Sequence, residues 1–290
     1  MTYSLITLSY NKLACTQRCL SALITDSVFD APWELIVVDN GSTDGSGEWC
    51  DTELTALGAA HNVPVTVLHN SGNIGCSFAR NRAIAVARGE YLVFADNDIA
   101  PRTRRWVPGL RAALNSVPHA GMVGAKMVYP WQPYPIQCAG VGISRRGHVC
   151  FRGRGEPLDD PRFCRLETVQ CLISACLMIP AALIQKHGGF DEAFHPVQFE
   201  DFDLCYRLRE AGYVAIYTPD VEMYHFESVT TQGTPTVRNA AVVVRNGLLF
   251  QKRWRHLFEH EDGPSEEACR WRKIEPALFS AIGPLPLINA

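Results

Sequence analysis

The chain has 290 residues, 47% of them hydrophobic and 20% charged, with a formal net charge of −3. That length holds one large α/β domain or two small ones, and the composition is that of a globular protein with a sizeable core. The near-neutral balance excludes the strong field that marks nucleic-acid binders or proteins drawn to anionic membranes by charge alone.

Tyr3 to Ser9 reads as a buried strand, and Thr16 to Ile24 as a helix with Cys19, Leu20, Leu23 and Ile24 on one face. Glu34 to Asp39 (ELIVVD) is apolar on both faces, as in the middle of a parallel sheet covered by helices. It stops at the turn formers Asp39-Asn40-Gly41-Ser42. Val65 to Leu68 is a third strand. Gly75 to Arg88 is a helix opened by Asn73 and closed by Gly89, and Tyr91 to Ala95 is a fourth strand that again ends in acids. This rhythm predicts a single doubly wound α/β domain with a central, mostly parallel sheet. From about Tyr129 the pattern changes. Prolines and glycines crowd Pro130 to Pro161. Val169 to Ile179 is a long apolar strand, Glu200 to Ala211 a helix, Tyr213 to Thr218 a strand and Val237 to Arg255 a helix. Residues 1–128 are expected to bind one ligand and 129–258 to complete the site within the same domain, with 259–290 as a tail.

The 11 cysteines are odd in number, scattered from Cys15 to Cys269 and without a C-x-x-C, so neither a disulfide framework nor a zinc ribbon is expected. Thiols such as Cys171 and Cys176 lie in apolar runs and act as small hydrophobes. A reducing, cytoplasmic setting follows. The segment MTYSLITLSYN has no basic leader or cleavage site, and no stretch reaches the roughly 18 apolar residues of a membrane helix. Membrane contact would be peripheral. Two arginine groups, Arg102/Arg104/Arg105 and Arg145/Arg146/Arg152/Arg154, read as solvated faces or as a surface for an anionic acceptor or headgroup.

In open α/β sheets, ligands bind beyond the carboxyl ends of the strands. Asp39 and Asp96-Asn97-Asp98 both follow such ends. Asp96 and Asp98 are hard oxygen donors suited to Mg²⁺ or Mn²⁺, although acidic turns after strands are also common. Asn73 to Asn81 opens a helix near Arg80, which is either a phosphate site or an ordinary capped helix. Glu200, Asp201 and Asp203 start a helix. Its dipole favours acids there, and one of them can also serve as a general base. Asp203 and Arg207 are spaced to pair. His225 lies between aromatic residues and is either structural or a metal ligand. Gly41 to Gly47 lacks the G-x-G-x-x-G spacing, and no P-loop motif occurs, so hydride transfer and P-loop chemistry are excluded.

In chain order, ITLSYNK, LIVVDNGSTDGS, NSGNIGCSFARNRAI, GEYLVFADNDI, GGFDEAFHPVQFEDFDLCYRLREAGY and HFES (225–228) resemble glycosyltransferase family 2, inverting enzymes of the GT-A fold. The resemblance implies a nucleoside-diphosphate sugar as donor, a hydroxyl acceptor on a glycan, glycolipid or other molecule, and Mn²⁺ or Mg²⁺ as cofactor. Thr7 and Ser9 are then expected beside the nucleobase and ribose, and Asp39 and Asn40 at the nucleoside. Asn40 departs from the two acids common there, which leaves UDP- and dTDP-sugars both open. Asn73 and Arg80 fall near the diphosphate or sugar. Asp96, Asn97 and Asp98 match the D-x-D motif, with Asp98 the direct metal ligand and Asp96 beside it. Asp201 matches the base, Glu200 its neighbour, and His225 a histidine that completes the metal site in some members. The rivals are a metal-dependent sugar nucleotidyltransferase, which should carry a glycine-rich loop after the first strand where this chain has Ser9-Tyr10-Asn11-Lys12, and a non-catalytic relative, which should have lost the acids.

Overall fold

The structure, a computed structural model, describes residues 1–227 and 240–289. Ser228, which ends the HFES segment, and positions 237–239 of the expected last helix lie outside the described residues. In chain order the elements are β1 (Tyr3–Ser9), α1 (Leu13–Thr25), β2 (Trp33–Asp39), α2 (Ser46–Trp49), α3 (Thr55–Ala60), β3 (Val65–His69), α4 (Cys76–Val86), β4 (Tyr91–Ala95), β5 (Ile99–Pro101) and α5 (Trp106–Ser116). There follow β6 (Ala120–Val128), β7 (Ile136–Cys138), β8 (Val141–Ile143), β9 (Val149–Phe151), β10 (Glu167–Val169), β11 (Cys176–Pro180), α6 (Ala181–His187), α7 (Glu200–Glu210), β12 (Val214–His225) and α8 (Ala240–Phe258).

The main sheet runs β10-β12-β6-β11-β4-β1-β2-β3. Its first half, β3-β2-β1-β4, is parallel throughout. β11 enters antiparallel to both β4 and β6, and β6 and β12 are again parallel to each other. Leu35, Ile36, Val37 and Val38 of β2 are at most 1% exposed. Burial on both faces is why that run is continuously apolar, and each such side chain contributes about 1.5–3 kcal/mol. α4 packs on β1 and β2, and α5 on β6 and β12.

Two expectations are corrected. The predicted strand Val169 to Ile179 is two strands, β10 at one edge of the sheet and β11 in its middle. Between them Leu172 packs on Gly124, Cys171 bridges Val141, and Ser174 and Ala175 turn their backbone toward the acids: Ser174 N donates to Asp201 and Ala175 O accepts from Asp96 N. Apolar character alone cannot separate a strand from such a buried crossing. The strand predicted to stop at Thr218 runs to His225, because β12 absorbs Pro219, Asp220 and Val221 in a register shift between Thr218 and Glu222. Residues in 259–289 also contact the body of the domain. Arg18 donates to the carbonyls of Ile282 and Gly283, Tyr224 to Pro286 O, and Ile288 bridges Thr103. Among the described residues, no helix is long and apolar enough to cross a membrane.

Candidate active site

β1 and β2 run in register, with Ser9 beside Asp39, and β4 lies parallel on the other side of β1. Their carboxyl ends therefore open at one edge of the sheet. A cavity of about 560 Å³ lies there, lined by Asn40, Asn73, Arg80, Asp96, Asn97, Asp98, Glu200, Asp201 and His225 among others. Most of the residues expected at the site thus meet in one place.

Thr7 and Ser9 do not line it. Both are fully buried, their hydroxyls have no hydrogen-bond partner among the described residues, and Leu8 and Tyr10 line the cavity instead. Strand side chains alternate faces, so the positions nearest the cavity fall on the other parity. Asp39 is also turned off the cavity wall. It accepts from Ser42 N and lies 3.3 Å from His69 Nδ1.

Asn40 builds the next wall. Its Oδ1 accepts from Asn70 Nδ2 (2.9 Å) and from Ile74 N (3.1 Å), which leaves Nδ2 to donate to Asn73 Oδ1 (2.9 Å). An aspartate could not make the last bond. Asn40 thus has a local role, fixing the loop before α4. Gly41 permits the approach: its φ is 81°, and a Cβ there would lie 2.4 Å from Gly72 Cα.

The three residues after β4 diverge. Asp96 Oδ1 pairs with Arg80 Nη2 at 3.0 Å. Asn97 Nδ2 donates to Thr16 Oγ1 and ties the turn to α1. Asp98 Oδ1 lies 3.4 Å from His225 Nε2. The antiparallel pairing of β5 with β12, Ile99 opposite His225, and a bond from Phe226 N to Asp98 O create that meeting. Burial opposes a charged His225, but Asp98 outweighs it and the pKa is raised. Among the described residues no group of three or more His, Cys, Asp or Glu side chains forms a metal cluster. Asp98 and His225 are a pair, which fits a divalent cation whose remaining positions are taken by diphosphate oxygens and water.

Arg80 is 4% exposed and does not stand free for a phosphate. Its Nη1 meets Glu200 Oε1 and its Nη2 meets Asp96 Oδ1, each at 3.0 Å. Burial works against its charge, but these carboxylates outweigh it and hold it protonated. The N–H of Cys76, at the start of α4, is also spent, on Pro196 O. Arg80 is thus neither free nor solvated, and no side chain caps α4, whose first residue follows Gly75.

At the start of α7, Glu200 is buried, while Asp201 is only partly so. Burial raises the pKa of Glu200, and its Oε2 has no partner among the described residues. Asp201 is pushed up to about 7, first by burial and then by the neighbouring Glu200 charge. Its oxygens accept from Ser174 N and Phe202 N. Asp203 faces elsewhere, fully buried against Arg207, Arg253 and Trp254. The loop before α7 is pinned from α8, where buried Asn246 donates to Phe194 O, Val197 O and Gln198 O. The cavity's remaining ionisable thiol, Cys76, is pushed up to about 12 by burial and is no nucleophile.

Gln137, Phe151, Glu227 and Trp271 also line the cavity, and sequence reasoning did not find them. Gln137 and Phe151 sit in the proline- and glycine-rich middle and Trp271 in the C-terminal segment, where no periodicity or motif marks them, while Glu227 lies in the HFES segment, whose resemblance assigned it no role. Arg154 joins these parts. It pairs with Glu227, donates to Arg272 O and stacks 3.9 Å from the Trp271 ring. The arginine groups are largely consumed in this way, since Arg102 pairs with Glu222, Arg152 with Glu167 and Arg145 with Asp262.

The sequence profile of glycosyl transferase family 2 matches residues 4–151, and the chain belongs to that family. It is 33% identical to an uncharacterized protein, y4gI, of Sinorhizobium fredii, over 77% of this chain and 24% of that protein. It is 28% identical to an N-acetylglucosaminyl-diphospho-decaprenol L-rhamnosyltransferase of Mycobacterium tuberculosis, over 73% of this chain and 72% of the relative. The chain thus spans about a quarter of the first relative's length. Among solved structures, GalNAc-T7 with UDP, GalNAc and Mn²⁺ superposes with a TM-score of 0.70 at 14% identity, covering 89% of this chain and 49% of that one. A mannosyltransferase from Pyrobaculum calidifontis with GDP-Man and Mn²⁺ gives a TM-score of 0.56 at 19% identity, covering 89% and 70%. The fold is GT-A, as expected from the sequence.

Proposed function

We propose that this protein is an inverting glycosyltransferase that moves a sugar from a nucleoside diphosphate to an acceptor hydroxyl. One observation carries the reading. A cavity open at the carboxyl ends of the strands is lined, among the described residues, by Asp96, Asp98, Glu200, Asp201 and Glu227 with Arg80 as its one arginine. A cation would offset the repulsion between so acidic a site and a diphosphate, and Asp98 with His225 offers the donor pair for Mn²⁺ or Mg²⁺. The Mn²⁺ in both superposed glycosyltransferases agrees with that choice. When bound, the ion would neutralise charge growing on the departing diphosphate.

The chain's own residues supply the rest. Asp201 takes the proton of the acceptor hydroxyl, and its pKa near 7 suits a base at neutral pH. Attack from the side away from the diphosphate inverts the anomeric centre, with no nucleophilic side chain required. Arg80 holds Glu200 and Asp96 in place, and Asn40 and Asn73 shape the nucleoside end. The donor is a UDP- or dTDP-sugar, with uridine preferred from the family match around Asp39. The acceptor is a glycan or glycolipid hydroxyl, received on the side of Phe151 and Trp271. A glycolipid would bring the protein to a membrane peripherally from the cytoplasm. The M. tuberculosis relative, named for a diphospho-decaprenol acceptor, is consistent with that class.

The test is release of nucleoside diphosphate from a panel of UDP-, dTDP-, GDP- and ADP-sugars, with and without a glycolipid fraction. Turnover with a UDP- or dTDP-sugar, inverted in product stereochemistry, is expected. Turnover only with GDP- or ADP-sugars would overturn the donor assignment. A product of retained configuration would overturn the mechanism.

A further inference from the structure

Gln137 stands in the middle of a chain of polar contacts that ends at His225. It lies on β7, is 1% exposed, and places Oε1 3.3 Å from His225 Nδ1. Its Nε2 donates to Glu227 Oε1 at 3.1 Å. Glu227 also accepts from Arg154, Nη1 to Oε1 at 2.7 Å and Nη2 to Oε2 at 2.9 Å, and from Tyr129 Oη at 2.8 Å.

Each contact fixes the next. A carboxylate gripped by a guanidinium only accepts hydrogen bonds, so the Gln137 edge facing Glu227 is its NH₂. The amide oxygen then faces His225, and an amide oxygen also only accepts. Nδ1 of His225 must therefore carry the hydrogen. In the neutral ring this leaves a lone pair on Nε2, which lies 3.4 Å from Asp98 Oδ1. Two electron-rich atoms so placed repel each other unless a cation or proton lies between them. Turning the Gln137 amide over would instead set its oxygen against the Glu227 carboxylate, two acceptors with no hydrogen between them.

We propose that Gln137 is a positioning residue which, anchored by Glu227 and Arg154, locks His225 in the Nδ1–H form and so presents Nε2 to a divalent cation shared with Asp98. The inference rests on the metal role given to Asp98 and His225 above. Partners beyond the ligands commonly set ligand tautomer, and their loss weakens metal binding by about 10–100-fold.

Mn²⁺ is titrated into the full-length protein with UDP present, and free Mn²⁺ is read by electron paramagnetic resonance. Wild type should bind, and His225→Gln should bind more weakly. Gln137→Leu should lose about 10–100-fold in Mn²⁺ affinity, with metal-free UDP affinity unchanged. If Gln137→Leu does not fold, Gln137→Glu keeps the shape but opposes two carboxylates. It should weaken Mn²⁺ binding, and the exchange Gln137→Glu with Glu227→Gln should restore it, which a purely packing role would not do. ¹⁵N-histidine NMR of the Mg²⁺–UDP complex, assigned with His225→Gln, should show His225 protonated at Nδ1. Unchanged Mn²⁺ affinity in the Gln137 variants beside a weakened His225→Gln, failure of the exchange to restore binding, or an Nε2–H ring would overturn this inference and leave the metal reading standing. No Mn²⁺ binding by wild type would overturn both.

Discussion

Arg80 and Glu200 form a buried ion pair, Nη1 to Oε1 at 3.0 Å, and the same guanidinium holds Asp96 through its other nitrogen. Removing one partner of a buried pair leaves the other charge unpaired, at about 3–5 kcal/mol. Arg80→Met should therefore lower stability by about that amount, measured by urea unfolding. The loss should be larger at pH 8 than at pH 5, where Glu200 can protonate. Arg80→Lys should recover only part of it, because an ammonium cannot span two carboxylates as a planar fork does. Wild-type stability in Arg80→Met would show that the bridge contributes nothing.

Asp201→Asn should leave UDP affinity nearly intact and lower the transfer rate by roughly 10²–10⁴-fold. In wild type the rate should rise with pH through about 7, as Asp201 loses its proton. Near-normal turnover in Asp201→Asn, with Glu200→Gln inactive, would move the base to Glu200.

The same shift has a consequence for stability. Between 3.8 and about 7, folded Asp201 keeps a proton that the unfolded chain has released. Folding takes up that proton, so this residue's contribution falls as pH rises across the window. Asparagine cannot ionise and escapes the loss. Asp201→Asn should be more stable than wild type at pH 8, on the order of 1–2 kcal/mol after discounting for partial exposure, and the gap should close toward pH 4. Thermal melts at the two pH values decide it, and a gap independent of pH would contradict the raised pKa.

Chelation should abolish transfer, and Mn²⁺ or Mg²⁺ should restore it. Asp98→Ala should lose metal-dependent donor binding by calorimetry, whereas Asp96→Asn, whose oxygen is bound to Arg80, should lose less. Full activity in excess chelator would remove the metal from the reaction.

Asn40→Asp should disturb the nucleoside end without unfolding the sheet. It loses the bond to Asn73 Oδ1 and sets a carboxylate against that oxygen, at about 1–3 kcal/mol. UDP affinity should fall by roughly 5–100-fold, read by calorimetry. An unchanged affinity would show that the Asn40–Asn73 contact does not shape the donor site.

The sequence by itself determined the first half of the fold and the edge where the site opens. ELIVVD and YLVFA are apolar on both faces and end in turn-forming or acidic residues, and these are local properties that survive without knowledge of the partner strands. The ordered motifs likewise placed Asn40, Asn73, Arg80, Asp98, Glu200, Asp201 and His225, all of which the fold gathers around one cavity. Tertiary structure decided the rest. The meeting of Asp98 with His225 depends on β5 pairing with β12, and register between distant segments leaves no trace in either segment's own pattern. Thr7 and Ser9 gave way to Leu8 and Tyr10 because a strand's parity relative to a cavity is set by what covers each face. Arg80 could not be read as a bridge because its partners, Asp96 and Glu200, arrive from β4 and α7. Gln137 and Trp271 enter from irregular segments, where hydrogen bonds and packing to remote residues, rather than hydrophobic periodicity, determine which way a side chain points.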